Sequence, residues 1–388
     1  MRFRLCLLTA LSVLLLFALS SRAQAVDPAV APAEAAFAAK RYTDAIPLYR
    51  RVVASTLPAS VRANAQWRIG DAYLQSQNLP AARAAWLALA DRFPGQPGIS
   101  CKALLRVANL ALEQNDYIGA QFMYNRAVYS YGNAPDAAEF AVEALSRLGS
   151  TYLHMAEQEK KKGVRKTGND ISDSSAAARR AFERVVLLFP KENDWVANAK
   201  LQLMALKMES SLYGRARYSA AEVLANEFLA EYPNDAKRAP TVRYLKAKSL
   251  YQQNRLDEAI SEIRLLQKDF PDGGQPYVSS QFLLGECYGG MRDYDNAIAA
   301  YRKFLTTVAA GFSGWQERPL AQLSIGLCLI GLGRKDEGID ELLKVRAQYG
   351  NSYVADMADS DAEAWKASSA NRRRGGAAQS RRPDRSAQ

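Results

Sequence analysis

Apolar residues recur at helical spacing in pairs of short segments along most of this chain. Between residues 281 and 304, Phe282 and Tyr288 belong to a first such segment, and glycines with Met291 then interrupt it. The helical spacing resumes at Tyr294, Ala297, Ile298, Tyr301 and Phe304. Spacing of this kind is typical of amphipathic helices, so the stretch predicts two short helices folded into a hairpin, with Asp293 capping the second.

Small residues mark the points where the two helices of a hairpin would cross. Gly285 lies inside the first helix and Ala297 inside the second. A helical Gly costs about 1 kcal/mol relative to Ala, so its presence indicates close approach of a neighbouring helix. Tyr288, Tyr301 and Phe304 are expected to fill the space around this crossing.

The same pattern repeats along the chain. Anchors equivalent to Ala297 stand at Ala45, Ala82, Ala120, Ala178, Ala221, Ala259 and Gly338. With Ala297 included as the seventh of the eight anchors, the successive spacings are 37, 38, 58, 43, 38, 38 and 41 residues. Twelve residues after the anchor, Pro or Gly follows an aromatic residue in six of the eight repeats. An aromatic residue followed by Pro or Gly is a helix stop, because Pro cannot continue a helix and Gly ends one at little steric cost. A periodicity of this length predicts stacked helical hairpins, which bury their apolar faces only against one another.

This frame resembles the tetratricopeptide repeat family. In the second repeat it is carried by Gly70, Tyr73, Ala82, Trp86 and Pro94. The resemblance implies an all-α fold, an α-solenoid with a right-handed superhelix of about eight TPR-like helix-turn-helix repeats over residues 26–350. Most periods exceed the family's 34 residues, and with the YPND and FPDG endings they look most like those of periplasmic and envelope members in bacteria.

The remaining segments of the chain have distinct compositions. Residues 1–25 resemble a signal peptide, with two early arginines, an apolar run of 15 residues and an Ala-Gln-Ala cleavage site ending at Ala25. We therefore expect an exported, periplasmic protein that is not transmembrane after cleavage. An insertion at about 157–175 is expected to extend one helix and add a solvated loop. Residues 351–367 predict a helix that caps the last hairpin, and residues 368–388 an Arg-rich disordered tail.

The charge balance argues against a nucleic-acid partner. The formal net charge is +11, of which the leader carries three arginines and the tail six arginines against one aspartate. The folded body then carries only about +3, which is close to neutral for its size. The tail could contact an anionic envelope polymer or lipid through its arginines, Arg372, Arg373, Arg374, Arg381, Arg382 and Arg385. A solubilising tail without any partner is an equal alternative.

The chain carries few of the residues that catalysis requires. Its one histidine, His154, lies beside the charged insertion and is expected to be an ordinary surface or groove residue. The acidic pairs Asp257-Glu258 and Asp336-Glu337 occupy the same position at two helix starts, which indicates capping. Cys287 and Cys328 occupy equivalent positions in successive repeats and predict buried free thiols rather than a disulfide. We therefore predict no enzyme activity, no cofactor and no metal.

The resemblance also implies where a partner binds. In the family, the first helix of each hairpin lines a concave groove. The matching positions include Trp67, Asp71, Asn109, Tyr244, Lys248, Tyr251, Phe282 and Glu286. Aromatic residues with a few polar groups suit an extended peptide or an amphipathic helix. Trp67 and Phe282 could equally pack inside the superhelix.

Two functions remain open on the sequence. The first is a non-catalytic protein-binding scaffold of the bacterial cell envelope, which holds an envelope protein or peptide in its groove. The alternative is a structural protein associated with cell wall or polysaccharide and anchored partly by its basic C-terminal tail. The sequence does not identify the partner, the pathway or the oligomeric state.

Overall fold

A computed structural model describes residues 27–162, 173–189, 194–209, 216–307, 317–350 and 352–379. Across these residues the chain is all-α, with no β-strand. The predicted signal peptide, 1–25, and its cleavage site lie outside the described residues. The chain divides into two compact units, up to residue 163 and from residue 164 onward.

The described part of the first unit contains seven α-helices. They are α1 (Ala31–Ala38), α2 (Tyr42–Ala54), α3 (Ala59–Gln75), α4 (Leu79–Arg92), α5 (Pro97–Glu113), α6 (Tyr117–Tyr131) and α7 (Ala138–Lys161). Consecutive helices pack as the hairpins α1–α2, α3–α4 and α5–α6, and α7 packs against the last of them.

Among the described residues of the second unit there are ten α-helices. They are α8 (Asp173–Leu188), α9 (Asp194–Glu209), α10 (Ala216–Glu231), α11 (Ala239–Gln252), α12 (Leu256–Asp269), α13 (Gly274–Gly290), α14 (Tyr294–Thr307), α15 (Glu317–Gly331), α16 (Lys335–Tyr349) and α17 (Tyr353–Gln379). Four further hairpins, α9–α10 to α15–α16, stack in order within this unit. Each unit is thus a stack of helical hairpins, which confirms the predicted solenoid of repeats.

The predicted anchors occupy one structural position. All eight lie on the second helix of their repeat and are buried: Ala45, Ala82, Ala120, Ala178, Ala221, Ala259, Ala297 and Gly338. Helix stops also fall where predicted, because α4 ends one residue before Phe93 and α12 one residue before Phe270. The period seen in the sequence is therefore the period of the stack.

Three glycines permit the close helix crossings on which the hairpins depend. A Cβ atom on Gly70 would lie 2.3 Å from Nε1 of Trp86. On Gly285 it would lie 2.5 Å from Cε1 of Tyr301, and on Gly326 2.9 Å from the Gly338 carbonyl oxygen. Each glycine thus lies against the second helix of its own hairpin, as predicted.

The turns within the hairpins share a conformation that the sequence pattern did not reveal. The residue five positions before the anchor has a positive φ in six repeats: Lys40, Gln77, Asn115, Asn254, Arg292 and Gly333. The next residue donates its N–H back to the end of the first helix, as in Asp293 N–H to the Tyr288 carbonyl at 2.9 Å. This is the Schellman arrangement, which usually uses Gly at the left-handed position. Only one of these six residues is Gly, so the turns could not be recognised from glycines in the sequence.

Asp293 caps α14 as predicted. Its Oδ1 accepts a hydrogen bond from the Asn296 N–H at 3.4 Å, and Oδ2 accepts one from the Asn296 side chain at 2.7 Å. The acidic pairs Asp257-Glu258 and Asp336-Glu337 likewise lie in the first turns of α12 and α16. These acids stabilise helix starts, where the macrodipole is positive.

The terminal helix is longer than predicted. It continues to Gln379 rather than ending at 367, so residues 368–379 are helical. Ala and Arg in that stretch are strong helix formers, and a helix already docked extends without a new nucleation step. Ala355, Ala358 and Ala362 are fully buried against α15 and α16, whereas Tyr353 is exposed.

The insertion begins as a helical extension. Helix α7 runs to Lys161, well past the point where the other first helices end, and α8 starts at Asp173. Residues 163–172 lie outside the described ones, so the predicted loop stays a prediction. No described helix has both the length and the apolar content that a membrane crossing requires.

A buried carboxylate links α11 to α12. The Glu262 side chain is 6% exposed and pairs with Arg243 at 2.7 Å and Lys246 at 2.8 Å. A carboxylate at this depth needs both cations, because burying an unpaired charge is costly.

We expect Glu262→Gln to lower the free energy of unfolding by about 2 kcal/mol, since it removes hydrogen bonds between charged groups at a buried site. Urea unfolding followed by circular dichroism measures the change. Glu258→Gln in the same helix is the matched control, because Glu258 is 58% exposed and pairs with Arg255 at the surface. Equal unfolding midpoints for the two variants would contradict the structural role of Glu262.

Candidate functional site

A cavity of about 520 Å³ runs across the first helices of the N-terminal unit. Helices α1, α3, α5 and α7 all contribute to its wall, which is continuous along the face that the first helices form. It is lined by Phe37, Trp67, Arg68, Asp71, Leu74, Gln75, Lys102, Leu105, Arg106, Asn109, Phe140 and Glu143. The cavity is thus lined by both aromatic rings and charged groups.

Lys102 lies between two aromatic rings of this cavity. Its Nζ is 4.6 Å from the centroid of the Trp67 ring and 5.7 Å from that of Phe140. An ammonium group over aromatic faces is stabilised electrostatically. Within the described residues no carboxylate pairs with Lys102, so its charge is balanced only by the two rings.

Asp71 is one of two carboxylates in the same wall, the other being Glu143. Its carboxylate lies 4.0 Å from Arg68, which also pairs with Glu34 at 3.2 Å. Burial raises the pKa of Asp71 above its ordinary value, whereas Arg68 and a hydrogen bond from Trp67 oppose that shift. The cavity therefore holds a carboxylate whose charge depends on neighbouring cations.

Asn109 is held in place by the second helix of its hairpin. Its Oδ1 accepts a hydrogen bond from the Tyr124 hydroxyl at 2.6 Å, and Tyr124 is fully buried. The amide N–H₂ is then left for the cavity. Trp67 is also supported from behind, since its ring lies 5.6 Å from that of Trp86. Trp67 thus both packs inward and lines the cavity.

The predicted residues of the C-terminal unit form a separate cluster on α11 and α13. Glu286 accepts hydrogen bonds from the Tyr251 hydroxyl at 3.2 Å and from the Tyr301 hydroxyl at 2.5 Å. Burial and the nearby Glu286 raise the pKa of Tyr251 to about 12. Tyr244 and Tyr251 both lie half-buried against one hydrophobic core of this unit. The two hydrogen bonds from Tyr251 and Tyr301 fix the orientation of the Glu286 carboxylate.

Phe282 and Lys248 have opposite environments in this unit. The Phe282 ring lies 5.7 Å from Tyr301 and 5.4 Å from Phe304, so it contributes to packing. Lys248 is exposed. Burial raises the pKa of Glu317, and the positive charge of Lys248 opposes this rise.

Sequence reasoning missed the cations of the N-terminal cavity. Arg68 and Arg106 each stand two residues before the small residue at a helix crossing, Gly70 and Ala108. That recurring position could have been noticed, but the resemblance had not marked it as facing the groove. Lys102 precedes the expected positions by a helical turn, and only the stack brings it beside Trp67.

His154 stacks on an aromatic ring, and the cysteines of the described residues are buried. The His154 ring stacks on Tyr117 with centroids 4.5 Å apart. Cys287 and Cys328 are free and buried, as predicted, and Cys101 is also free and buried. The described residues contain no group of three His, Cys, Asp or Glu side chains that could hold a metal.

The stacked helical hairpins of each unit define an α-solenoid of repeats. Family models described as tetratricopeptide repeat match residues 31–97, 210–274, 278–307 and 320–352, about half of the chain. The chain belongs to the tetratricopeptide repeat family. No curated protein matches it in sequence.

Comparison with solved structures finds repeat proteins at low sequence identity. The C-terminal part of a TPR repeat-containing protein from Cytophaga hutchinsonii is 14% identical, with a TM-score of 0.46 over 78% of this chain and 99% of that one. PilW, a type IV pilus biogenesis factor, is 13% identical, with a TM-score of 0.44 over 66% of this chain and 97% of that one. YrrB, a TPR protein with an unusual peptide-binding site, is 16% identical, with a TM-score of 0.37 over 53% of this chain and 84% of that one. Identities and TM-scores this low do not indicate a function for this chain.

Proposed function

We propose that this protein is a non-catalytic protein-binding scaffold of the bacterial cell envelope. It holds a peptide or partner helix on the face formed by the first helices. The observation that carries this proposal is the 520 Å³ cavity of the N-terminal unit, with aromatic and charged side chains on one opening. The leader-like residues 1–25 support export to the periplasm.

The cavity has the composition of a peptide-binding surface. Trp67 and Phe140 offer apolar area, and aromatic anchors of this kind dominate binding energies at interfaces. Lys102, Arg106 and the Asn109 amide offer hydrogen-bond donors that orient a bound backbone or side chain. Lys102 contacts the rings of Trp67 and Phe140, and Trp86 contacts that of Trp67. The Trp67 and Phe140 side chains therefore need little further ordering when a partner binds.

The α11–α13 cluster is proposed as a second contact region for the partner. Tyr244, Tyr251 and Phe282 present aromatic edges, and Lys248 and Glu286 present one charge of each sign. The arginines of the C-terminal tail are proposed only as an accessory contact to anionic envelope polymer or lipid.

Photo-crosslinking tests the cavity directly. In the chain from residue 26, we expect a photoreactive phenylalanine at Asn109 to crosslink one or few envelope proteins. The same probe at Tyr129, which is 93% exposed on α6, should not. Adding Trp67→Ala to the Asn109 probe should lower the crosslinked yield at least tenfold, because it removes an aromatic anchor worth about 2 kcal/mol.

Two outcomes would contradict the proposal. Equal crosslinking from Asn109 and Tyr129 would show that the cavity has no preferred partner. Envelope association that survives Trp67→Ala but disappears on truncation after Ala370 would favour the wall-associated alternative, in which the tail provides the attachment.

A further inference from the structure

A second cavity of the N-terminal unit carries two arginines and a tyrosine at its rim. It measures about 390 Å³, lies between α2, α3 and α4, and shares no lining residue with the first-helix cavity. Arg50 and Arg92 stand at this rim with Tyr73, and none of the described residues that line the cavity is acidic. Each guanidinium has five N–H donors and no acceptor.

The Tyr73 hydroxyl couples one arginine to the cavity. Arg50 Nη2 donates to the Tyr73 hydroxyl oxygen at 2.7 Å. That hydroxyl keeps its own hydrogen, and no acceptor for it occurs among the described residues. Tyr73 therefore becomes a further donor beside the two guanidinium groups.

Arg50 and Arg92 have no carboxylate partner among the described residues, whereas some arginines of the same unit have one. Arg68 pairs with Glu34 at 3.2 Å, and Arg147 pairs with Glu143 at 2.6 Å. Two guanidinium groups at one opening repel each other unless an anion lies between them. The planar guanidinium binds carboxylate and phosphate in a bidentate manner.

Part of the wall of this cavity is aliphatic. Val53, Ala54, Ile69, Ala81 and Ala84 form this part, the floor of the cavity, and Ala54 and Ala84 are also exposed to solvent. The single buried polar side chain, Gln66, already donates to the Ala85 carbonyl at 2.9 Å. A hydrated inorganic ion would leave this surface without a partner, whereas an apolar chain would cover it.

We propose that this cavity binds a small amphiphilic anion, with a phosphate or carboxylate head held by Arg50, Arg92 and Tyr73 and an apolar chain on the alanine floor. This activity is independent of partner binding on the first-helix face. The two possible heads share one chemistry, and the ligand series below separates them.

Calorimetric titration of the chain from residue 26 with defined probes tests the assignment. Hexyl phosphate or hexanoate should bind at least tenfold more tightly than both inorganic phosphate and 1-hexanol. Within the preferred head group, affinity should rise about fourfold per methylene from ethyl to hexyl, as expected for burial of each CH₂.

Matched variants locate the site. Arg50→Gln and Arg92→Gln should each weaken binding of the preferred probe about tenfold or more. Arg51→Gln, which removes the same charge from the exposed neighbour outside the cavity, should leave the affinity unchanged. Ala84→Leu should weaken hexyl-chain probes while inorganic phosphate binds as before, because it fills the floor without changing charge.

The proposal fails if inorganic phosphate binds as tightly as the hexyl probes, or if no probe binds. It also fails if Arg51→Gln has the same effect as Arg50→Gln, since that result would indicate diffuse surface charge. Thermal unfolding of each variant verifies folding, because exposed arginines contribute little to stability.

Discussion

Replacing Trp86 with Ala should lower the free energy of unfolding by about 3–5 kcal/mol, as expected for removal of a fully buried Trp. The Trp86 side chain is 0% exposed, covers Gly70 and supports the Trp67 ring at 5.6 Å. Its loss therefore empties the crossing of α3 and α4. Chemical unfolding followed by circular dichroism measures the change.

Trp86→Phe is the matched control for this prediction. The Trp86 indole N–H lies buried and has no hydrogen-bond partner in the described part of the chain. Phe keeps most of the apolar surface and removes only this unpaired donor, so its cost should be well below that of Ala. Losses of equal size for Phe and Ala would contradict the packing role.

A double-mutant cycle with Gly70 sharpens the test. Gly70→Ala alone should destabilise the protein, because its Cβ would lie 2.3 Å from the indole nitrogen. In the Trp86→Ala background the same change should stabilise the protein by about 1 kcal/mol, since the helix then gains Ala in place of Gly. A reversal of sign is the expected coupling of two residues in contact.

Gly285→Val should lower the free energy of unfolding by about 3 kcal/mol, at the upper end of the cost of overpacking. Its Cβ would lie 2.5 Å from the Tyr301 ring, which is 2% exposed and has no room to retreat. Displacing the ring would also break the hydrogen bond from the Tyr301 hydroxyl to Glu286. Unfolding in urea measures the loss.

Gly289→Ala provides the control from the next turn of the same helix. Its Cβ would meet only the Tyr301 hydroxyl oxygen, at 3.9 Å. Ala should therefore stabilise α13 by about 0.5–1 kcal/mol through helix propensity alone. If Gly285→Val were as stable as the parent protein, the close crossing of α13 and α14 would not exist in solution.

The two groove clusters show what could be predicted about the candidate site. Trp67, Asp71 and Asn109 were placed by their spacing from a small packing residue, and all three line one cavity. Lys102 could not be placed in that way, because its contact with Trp67 joins α5 to α3 across two repeats. Phe282 satisfies the same spacing rule, yet it packs against Phe304.

The sequence by itself determined the repeat and its packing frame. Buried anchors such as Ala82 and crossing glycines such as Gly285 follow a period along the chain, and each acts within one hairpin. Local spacing suffices there, because residues three and four apart share a helix face.

Only the tertiary structure decided how faces of different repeats meet. It placed Arg50 and Arg92 around one cavity, and it chose Ala355, Ala358 and Ala362 as the buried face of the last helix. The physical reason is that these contacts join residues far apart in sequence. Their geometry depends on the rotation between stacked helices, which no single repeat encodes.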